Sequence, residues 1–241
     1  MAKGESFKFQ NFTIYQEKSA MKVGTDGVIL GSWVRCLGRE RILDVGTGTG
    51  LIALMVAQRC ESAQIDAVEI EQSAAIEANS NFEKSPYGDR IKCYNVDFQR
   101  FSKAECQKKY DFIVSNPPYF NGSYKSVDAQ RTAARHSELL PSEDLIDGVV
   151  RVLDPNGGVF AAIFPYSNAA VFIAKAATRG LFCTRLLKIF PKPGREAKRM
   201  AAEFSLRRDC QIKEEELMIL DSFDHYTDAY KELTKEFYIR F

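Results

Sequence analysis

The residues of this chain that could do chemistry begin with Asn116-Pro117-Pro118-Tyr119, placed directly after the apolar run Phe112-Ile113-Val114. An Asn followed by two prolines can neither continue a strand nor open a helix, because proline lacks the N–H and fixes φ. The backbone there must be a rigid, extended turn with outward carbonyls, one side-chain amide and one aromatic ring. That set suits an exocyclic amino group on a planar ring. Two acceptors take its two N–H bonds, an aromatic face stacks on the ring, and rigid geometry aims the nitrogen. An ordinary proline turn is the competing reading of Asn-Pro-Pro taken alone.

A second constellation lies upstream, in Asp44-Val45-Gly46-Thr47-Gly48-Thr49-Gly50 between a strand-like and a helix-like segment. Glycines here let the backbone approach a ligand and set it against the positive N-terminus of the helix. A dinucleotide fingerprint would need its third glycine at position 51, where Leu51 stands, and no Gly-Lys-Ser/Thr follows to make a P-loop. The Gly46, Gly48, Gly50 turn with its preceding acid resembles the cofactor turn of class I S-adenosylmethionine-dependent methyltransferases. Asp44 can hold the cationic methionine end of that cofactor directly or through water. Two more acids end successive strands. Glu69 can take ribose hydroxyls with Ile70 packing on adenine, and Asp97, followed by Phe98, can accept from the adenine amino group. Each acid alone also reads as a helix cap or a solvated turn residue. Together, at consecutive strand ends, they mark the crevice in which open α/β sheets bind ligands.

The elements that must position these residues follow from hydrophobic patterning. Strands are expected over 41–45, 64–69, 90–96, 110–115, 159–164, 181–190 and 200–207, and helices over 51–60, 71–82, 145–153 and 169–178. Alternating βα units imply a mostly parallel, seven-stranded Rossmann-like α/β sheet with helices on both faces. Residues 41–241 read as one domain, with residues 1–40 as a segment over the cofactor site. The stretch from Cys210 carries eight Asp/Glu against four Lys/Arg and reads as a surface strand and a closing helix, 229–237. The stretch 120–141 has no hydrophobic period and reads as a functional loop.

Composition bounds the rest. The chain has 241 residues, 45% hydrophobic and 27% charged, with a formal net charge of +1, which makes no global case for nucleic acid. Charge is concentrated locally instead. Arg185, Lys188, Lys192, Arg195, Lys198 and Arg199 share one segment with a single acid, Glu196, for a local +5. That pattern fits a polyanion-binding patch or a solvated loop between edge strands. Six cysteines without any Cys-x-x-Cys pair, and two histidines, predict no metal site and a reduced interior. Polar residues at the N-terminus and no apolar run of membrane-spanning length predict a cytoplasmic protein without a membrane role.

In this order, the glycine turn, Glu69, Asp97 and Asn116-Pro117-Pro118-Tyr119 resemble the amino-methyltransferases. These include enzymes acting on adenine N6, on glutamine N5 of release factors and on guanine N2. Nearly the whole chain is similar to the bacterial tRNA1(Val) adenine-N6 methyltransferases. The likeness rests also on Ala20-Met21-Lys22-Val23-Gly24-Thr25-Asp26-Gly27, on Phe120 with Ala134-Arg135-His136, and on Pro191-Lys192-Pro193-Gly194-Arg195 with Lys198-Arg199. Met200 departs from the branched residue usual after that arginine.

The resemblance implies S-adenosyl-L-methionine as cofactor, tRNA as partner and action as a monomer or weak dimer. It makes Lys22, Thr25, Asp44, Gly46, Thr47, Gly48, Gly50, Glu69, Ile70, Asp97, Phe98 and Asn116 the cofactor site. Asn116, Pro117, Pro118 and Tyr119 become catalytic, and Phe120, Arg131, Arg135, Lys192, Arg195, Lys198 and Arg199 face the RNA. Thr25 reads as the N-cap of a helix whose Val28, Leu30, Trp33 and Leu37 face the core. Glutamine methyltransferases typically carry a helical domain before the cofactor fold, whereas about forty residues precede Asp44 here. A non-catalytic cofactor-binding scaffold is the remaining alternative, against which the intact Asn116 tetrapeptide argues.

Overall fold

A computed structural model describes residues 6–19, 22–104, 108–117, 140–208 and 211–240. Among them one eight-stranded mixed sheet organises the chain, in the order β10-β8-β9-β7-β6-β3-β4-β5. Its parallel half consists of β3 (Arg41–Val45), β4 (Gln64–Glu69), β5 (Ile91–Asn95), β6 (Phe112–Ser115) and β7 (Val159–Pro165). Beyond β7 come β9 (Arg199–Ser205), antiparallel to both neighbours, then β8 (Phe182–Phe190) and β10 (Lys213–Met218). A short antiparallel hairpin, β1 (Ser6–Lys8) with β2 (Thr13–Tyr15), precedes the sheet and has no counterpart in the patterning above.

The helices are α1 (Thr25–Trp33), α2 (Leu51–Arg59), α3 (Gln72–Glu83), α4 (Phe98–Ala104), α5 (Ser142–Val152), α6 (Tyr166–Thr178) and α7 (Asp228–Thr234). Period-two alternation along the strands sorts them into two layers. Ile42, Phe112 and Val114 join the cluster that contains residues of α1, α2 and α7, as well as Phe9, Phe12 and Ile14 of the hairpin region. Leu43, Val45 and Ile113 point the other way, into a cluster with residues of α4, α5 and α6. The sheet is thus covered on both faces, as near-continuous apolar strands require.

The count of eight strands corrects the expected seven. The acid-rich stretch after residue 210 adds β10 to the sheet edge, parallel to β8 from Lys213↔Arg185 to Met218↔Phe190. Charge explains the pairing: Glu215 meets Arg185 at 2.8 Å and Glu214 meets Lys188 at 2.8 Å. Three smaller expectations also change. Gly24, not Thr25, is the N-cap of α1, and Thr25 is its first helical residue. Leu37 lies beyond α1 and is 69% exposed, while Val28, Leu30 and Trp33 are buried as expected. α4 was hidden because its seven residues are too few to display a helical period.

Arg185, counted above in the basic segment, is buried rather than displayed. Its guanidinium lies 4.0 Å from the centre of the Trp33 ring, donates to Glu215, Glu203 and the Trp33 carbonyl, and so ties α1 to three strands. Removing one partner of such a network strands the others without compensation. Arg185→Ala is therefore expected to lower the unfolding free energy by about 3–5 kcal/mol, read from urea denaturation; a loss indistinguishable from that of a surface Arg→Ala control would contradict it.

Candidate active site

All five parallel strands end on one edge of the sheet, and of the residues singled out for chemistry Asp44, Gly46, Gly48, Glu69, Asp97 and Asn116 stand at those strand ends. β3 turns into α2 through three glycines in the left-handed region, Gly46 (φ 71°), Gly48 (φ 56°) and Gly50 (φ 85°). Their roles differ. A Cβ on Gly46 or Gly48 would meet no atom within 4 Å, so these two face open space. A Cβ on Gly50 would stand 2.4 Å from the Phe82 ring, so this glycine permits packing of α2 on α3. The open backbone at Gly46 and Gly48 is the cradle a close-lying ligand needs.

Asp44 governs this turn from beneath. Its Oδ2 accepts from Thr47 Oγ1 at 2.7 Å and from Ala53 N at 3.1 Å. The second bond caps α2, whose own N-cap, Gly50, has no side chain to do so. Asp44 is 1% exposed and its Oδ1 has no hydrogen-bond partner among the described residues. Burial pushes its carboxyl up to about 7, against the lowering effect of the bonds from Thr47 and Ala53. An orphaned, buried carboxylate oxygen below an open glycine cradle is suited to a cationic group.

Glu69, at the end of β4, is buried, with Oε2 accepting from Gly48 N at 2.8 Å and Oε1 from Glu71 N at 2.9 Å. Each oxygen retains acceptor capacity for a further donor such as a ribose hydroxyl. Ile70 next to it is 41% exposed, free to lie on a flat apolar face. Asn95 Nδ2 bonds the carbonyls of Glu69 and Ile70 and so sets the direction of that corner. Asp97 follows β5 and its Oδ1 accepts from Arg100 N at 2.8 Å, a cap for α4. The Phe98 ring is committed to the core: a Cβ on Gly148 of α5 would stand 2.4 Å from it.

Asn116 follows β6 immediately, beside the glycine turn, because Ser115 pairs with Val45 and its Oγ bonds the Val45 carbonyl at 2.8 Å. Asn116 is half-buried and Pro117 buried. Lys22 is exposed and its Nζ bonds the Gln16 carbonyl; Thr25 is exposed at the start of α1. Pro118, Tyr119, Phe120, Arg131, Arg135 and His136 lie outside the described residues.

Two residues that sequence reasoning passed over hold this assembly. Asn81 of α3, fully buried, bonds the Thr49 carbonyl at 2.9 Å and both backbone groups of Tyr15, tying the glycine turn to β2. One turn earlier, Glu77 accepts from Lys18 N and Ser19 N. Their signal was present: two polar residues at i, i+4 on the buried face of an alanine-rich helix.

The basic segment lies on the same edge, since Arg199 opens β9 opposite Pro165, the end of β7. Most of its charge is answered internally. Arg185 pairs with Glu203 and Glu215, Lys188 with Glu214, Lys192 with Asp224 and Arg199 with Asp26. Arg195 and Lys198 are exposed and have no ion pair among the described residues.

Known proteins agree with this architecture. Residues 27–157 match the methyltransferase small domain family. A Bacteroides fragilis protein named tRNA1(Val) (adenine(37)-N6)-methyltransferase is 46% identical over 97% of this chain and 98% of its own length. A Trichodesmium erythraeum protein of the same name is 44% identical over 99% of each. Among solved structures, a predicted O-methyltransferase from Agrobacterium tumefaciens superposes with a TM-score of 0.66 at 23% identity, over 88% of this chain and 96% of that one. The chain belongs to the methyltransferase small domain family and, within it, to the tRNA1(Val) (adenine(37)-N6)-methyltransferases.

Proposed function

We propose that this protein transfers a methyl group from S-adenosyl-L-methionine to the N6 amino group of adenine 37, beside the anticodon of tRNA1(Val). The observation that carries the reading is the placement of Asn116, held at the end of β6 alongside an open glycine cradle and its buried acid. When bound, the cofactor supplies a methyl group already activated on a sulfonium. The protein's task is then to position and orient.

In this reading Asp44 faces the cationic methionine end, Glu69 takes ribose hydroxyls, Ile70 packs on the adenine, and Asp97 with the Phe98 backbone stands at the adenine edge. Lys22 to Gly27 closes over the methionine end. An aromatic amine is a weak nucleophile because its lone pair is delocalised into the ring. The Asn116 side-chain oxygen and the Pro117 carbonyl accept its two N–H bonds and favour a pyramidal nitrogen aimed at the methyl. Tyr119 and Phe120 supply the stacking face for a base that has left its own stack, which a loop permits more readily than a duplex. Pro118 keeps the turn rigid, and Arg131, Arg135, Arg195 and Lys198 offer cations to the phosphates, Lys192 being paired with Asp224.

Asn116→Ala removes one of the two acceptors. We expect turnover to fall on the order of 10²-fold or more, measured by nucleoside mass spectrometry on tRNA from cells lacking the gene; a fully active variant, or label in release factors rather than tRNA, would overturn the assignment. The raised carboxyl of Asp44 sets a pH dependence. Between the unfolded value of 3.8 and about 7 the folded protein keeps a proton that the unfolded chain releases. This contribution to stability is complete below the lower value and is lost as pH rises through the upper. A cationic ligand prefers the ionised form, so cofactor affinity should rise with pH up to about 7. Calorimetry should show that slope in the parent and a flat profile in Asp44→Asn; parallel profiles would remove Asp44 from the cofactor site. Replacing Arg195 and Lys198 together by Ala should weaken tRNA binding and reduce its logarithmic salt slope by about 0.7 per lost phosphate contact. An unaltered slope would exclude both residues from the RNA surface.

A further inference from the structure

The first turn of α1 lies beside Asn116. A Cβ on Gly27 would stand 3.0 Å from Leu51 Cδ2 and 3.9 Å from Asn116 Nδ2. Main chain at Gly27 therefore lies against both the start of α2 and the amide that would receive the substrate. Where that turn sits decides how much room the amide has. No side chain caps that turn, since its N-cap is Gly24, and the segment before it is held by Gln16, whose Oε1 accepts from Val23 N at 2.7 Å.

The fixing contact comes from 173 residues away. Asp26 Oδ2 accepts from Arg199 Nε at 2.6 Å, and Arg199 Nη1 also bonds the Lys198 carbonyl at 3.1 Å. The guanidinium is thus oriented from two sides. Its side chain is 38% exposed and that of Asp26 30%, so the pair is shielded more than an ordinary surface bridge. Arg199 is also the first residue of β9, in register with Pro165, which places it on rigid structure at the catalytic edge. The far end of α1 is clamped as well, through Trp33 to Arg185 and through Arg59 to the carbonyls of Gly31 and Val34.

We propose that Arg199 is a positioning residue rather than an RNA ligand: through Asp26 it sets the first turn of α1 against Asn116 and the cofactor turn. Its neighbour Lys198 is exposed and has no ion pair among the described residues, so the RNA-facing loop and the wall of the site join at one dipeptide. The assignment rests on the reading of Asn116 as the substrate's amide partner. It also divides the basic segment into cations that answer acids of the protein and cations left for phosphate.

The test is a mutant cycle of Asp26→Asn, Arg199→Gln and the double variant, with Arg199→Lys as the conservative replacement. Each is assayed well below its own Tm for kcat at saturating tRNA, tRNA Kd with its salt slope, and Kd for S-adenosylhomocysteine. We expect either single change to lower kcat roughly 10- to 100-fold and to weaken S-adenosylhomocysteine, with the tRNA salt slope unaltered. The double variant should be no worse than the poorer single one, because both remove the same contact. Arg199→Lys, which keeps a donor for Asp26, should recover most of the loss. A reduced salt slope with kcat intact in Arg199→Gln would make Arg199 an RNA contact and overturn the proposal, as would additive losses in the double variant. If the parent protein does not methylate tRNA, the functional reading fails by itself. The ion pair is then judged by S-adenosylhomocysteine affinity alone, where additive or absent effects would sink it.

Discussion

The carboxylate of Asp44 is the contact on which the rest of the site depends. It lies under the turn between β3 and α2, where one oxygen bonds Thr47 and caps α2 while the other has no partner among the described residues. Capping from the strand lets Gly50 remain a glycine, and a glycine there lets Phe82 approach closely enough to lock α3. α3 in turn holds β2 and the segment after it through Asn81 and Glu77. Burying a carboxylate with one unsatisfied oxygen costs stability, and such local costs are concentrated where ligands bind. Here the cost sits beneath the open backbone at Gly46 and Gly48.

A second organising theme is that α1 belongs mechanically to the far half of the sheet. Its two ends are tied to β8, β9 and β10 by Arg185 with its acids and by Arg199. Its first turn, at Gly27, lies against Leu51 of α2 and Asn116, and Gly31 further along it lies against Met55 of α2. The strands that extend the parallel sheet therefore do more than complete a fold. They supply a rigid frame from which the wall of the catalytic crevice is hung.

Electrostatics follow the same division. A chain of net charge +1 has little long-range attraction for nucleic acid, and most cations in its basic segment are neutralised by acids from β10, its following loop and α1. What is left is a small positive projection, Arg195 and Lys198, on the catalytic edge. Such an arrangement favours local registration of a phosphate backbone over indiscriminate binding of polyanions.

The sequence by itself determined the parallel core and the family to which the chain belongs. β3 and β4 stand where alternation and apolar runs put them, because buried parallel strands bounded by glycine and acids leave a strong local pattern. The end of β6 at Ser115 was legible because the proline that follows Asn116 cannot continue a strand. Tertiary structure decided which charges remain available. Six Lys/Arg in fifteen residues look alike in one dimension, and only the long-range partners Glu203, Glu214, Glu215, Asp224 and Asp26 separate them. It also decided that an acidic tail becomes an eighth strand, since that requires a basic strand to pair with, and that α4, Asn81 and Glu77 matter. Local propensity is written in neighbouring residues, whereas ion pairs and buried amides are chosen by whichever residues the fold brings within three ångströms of them.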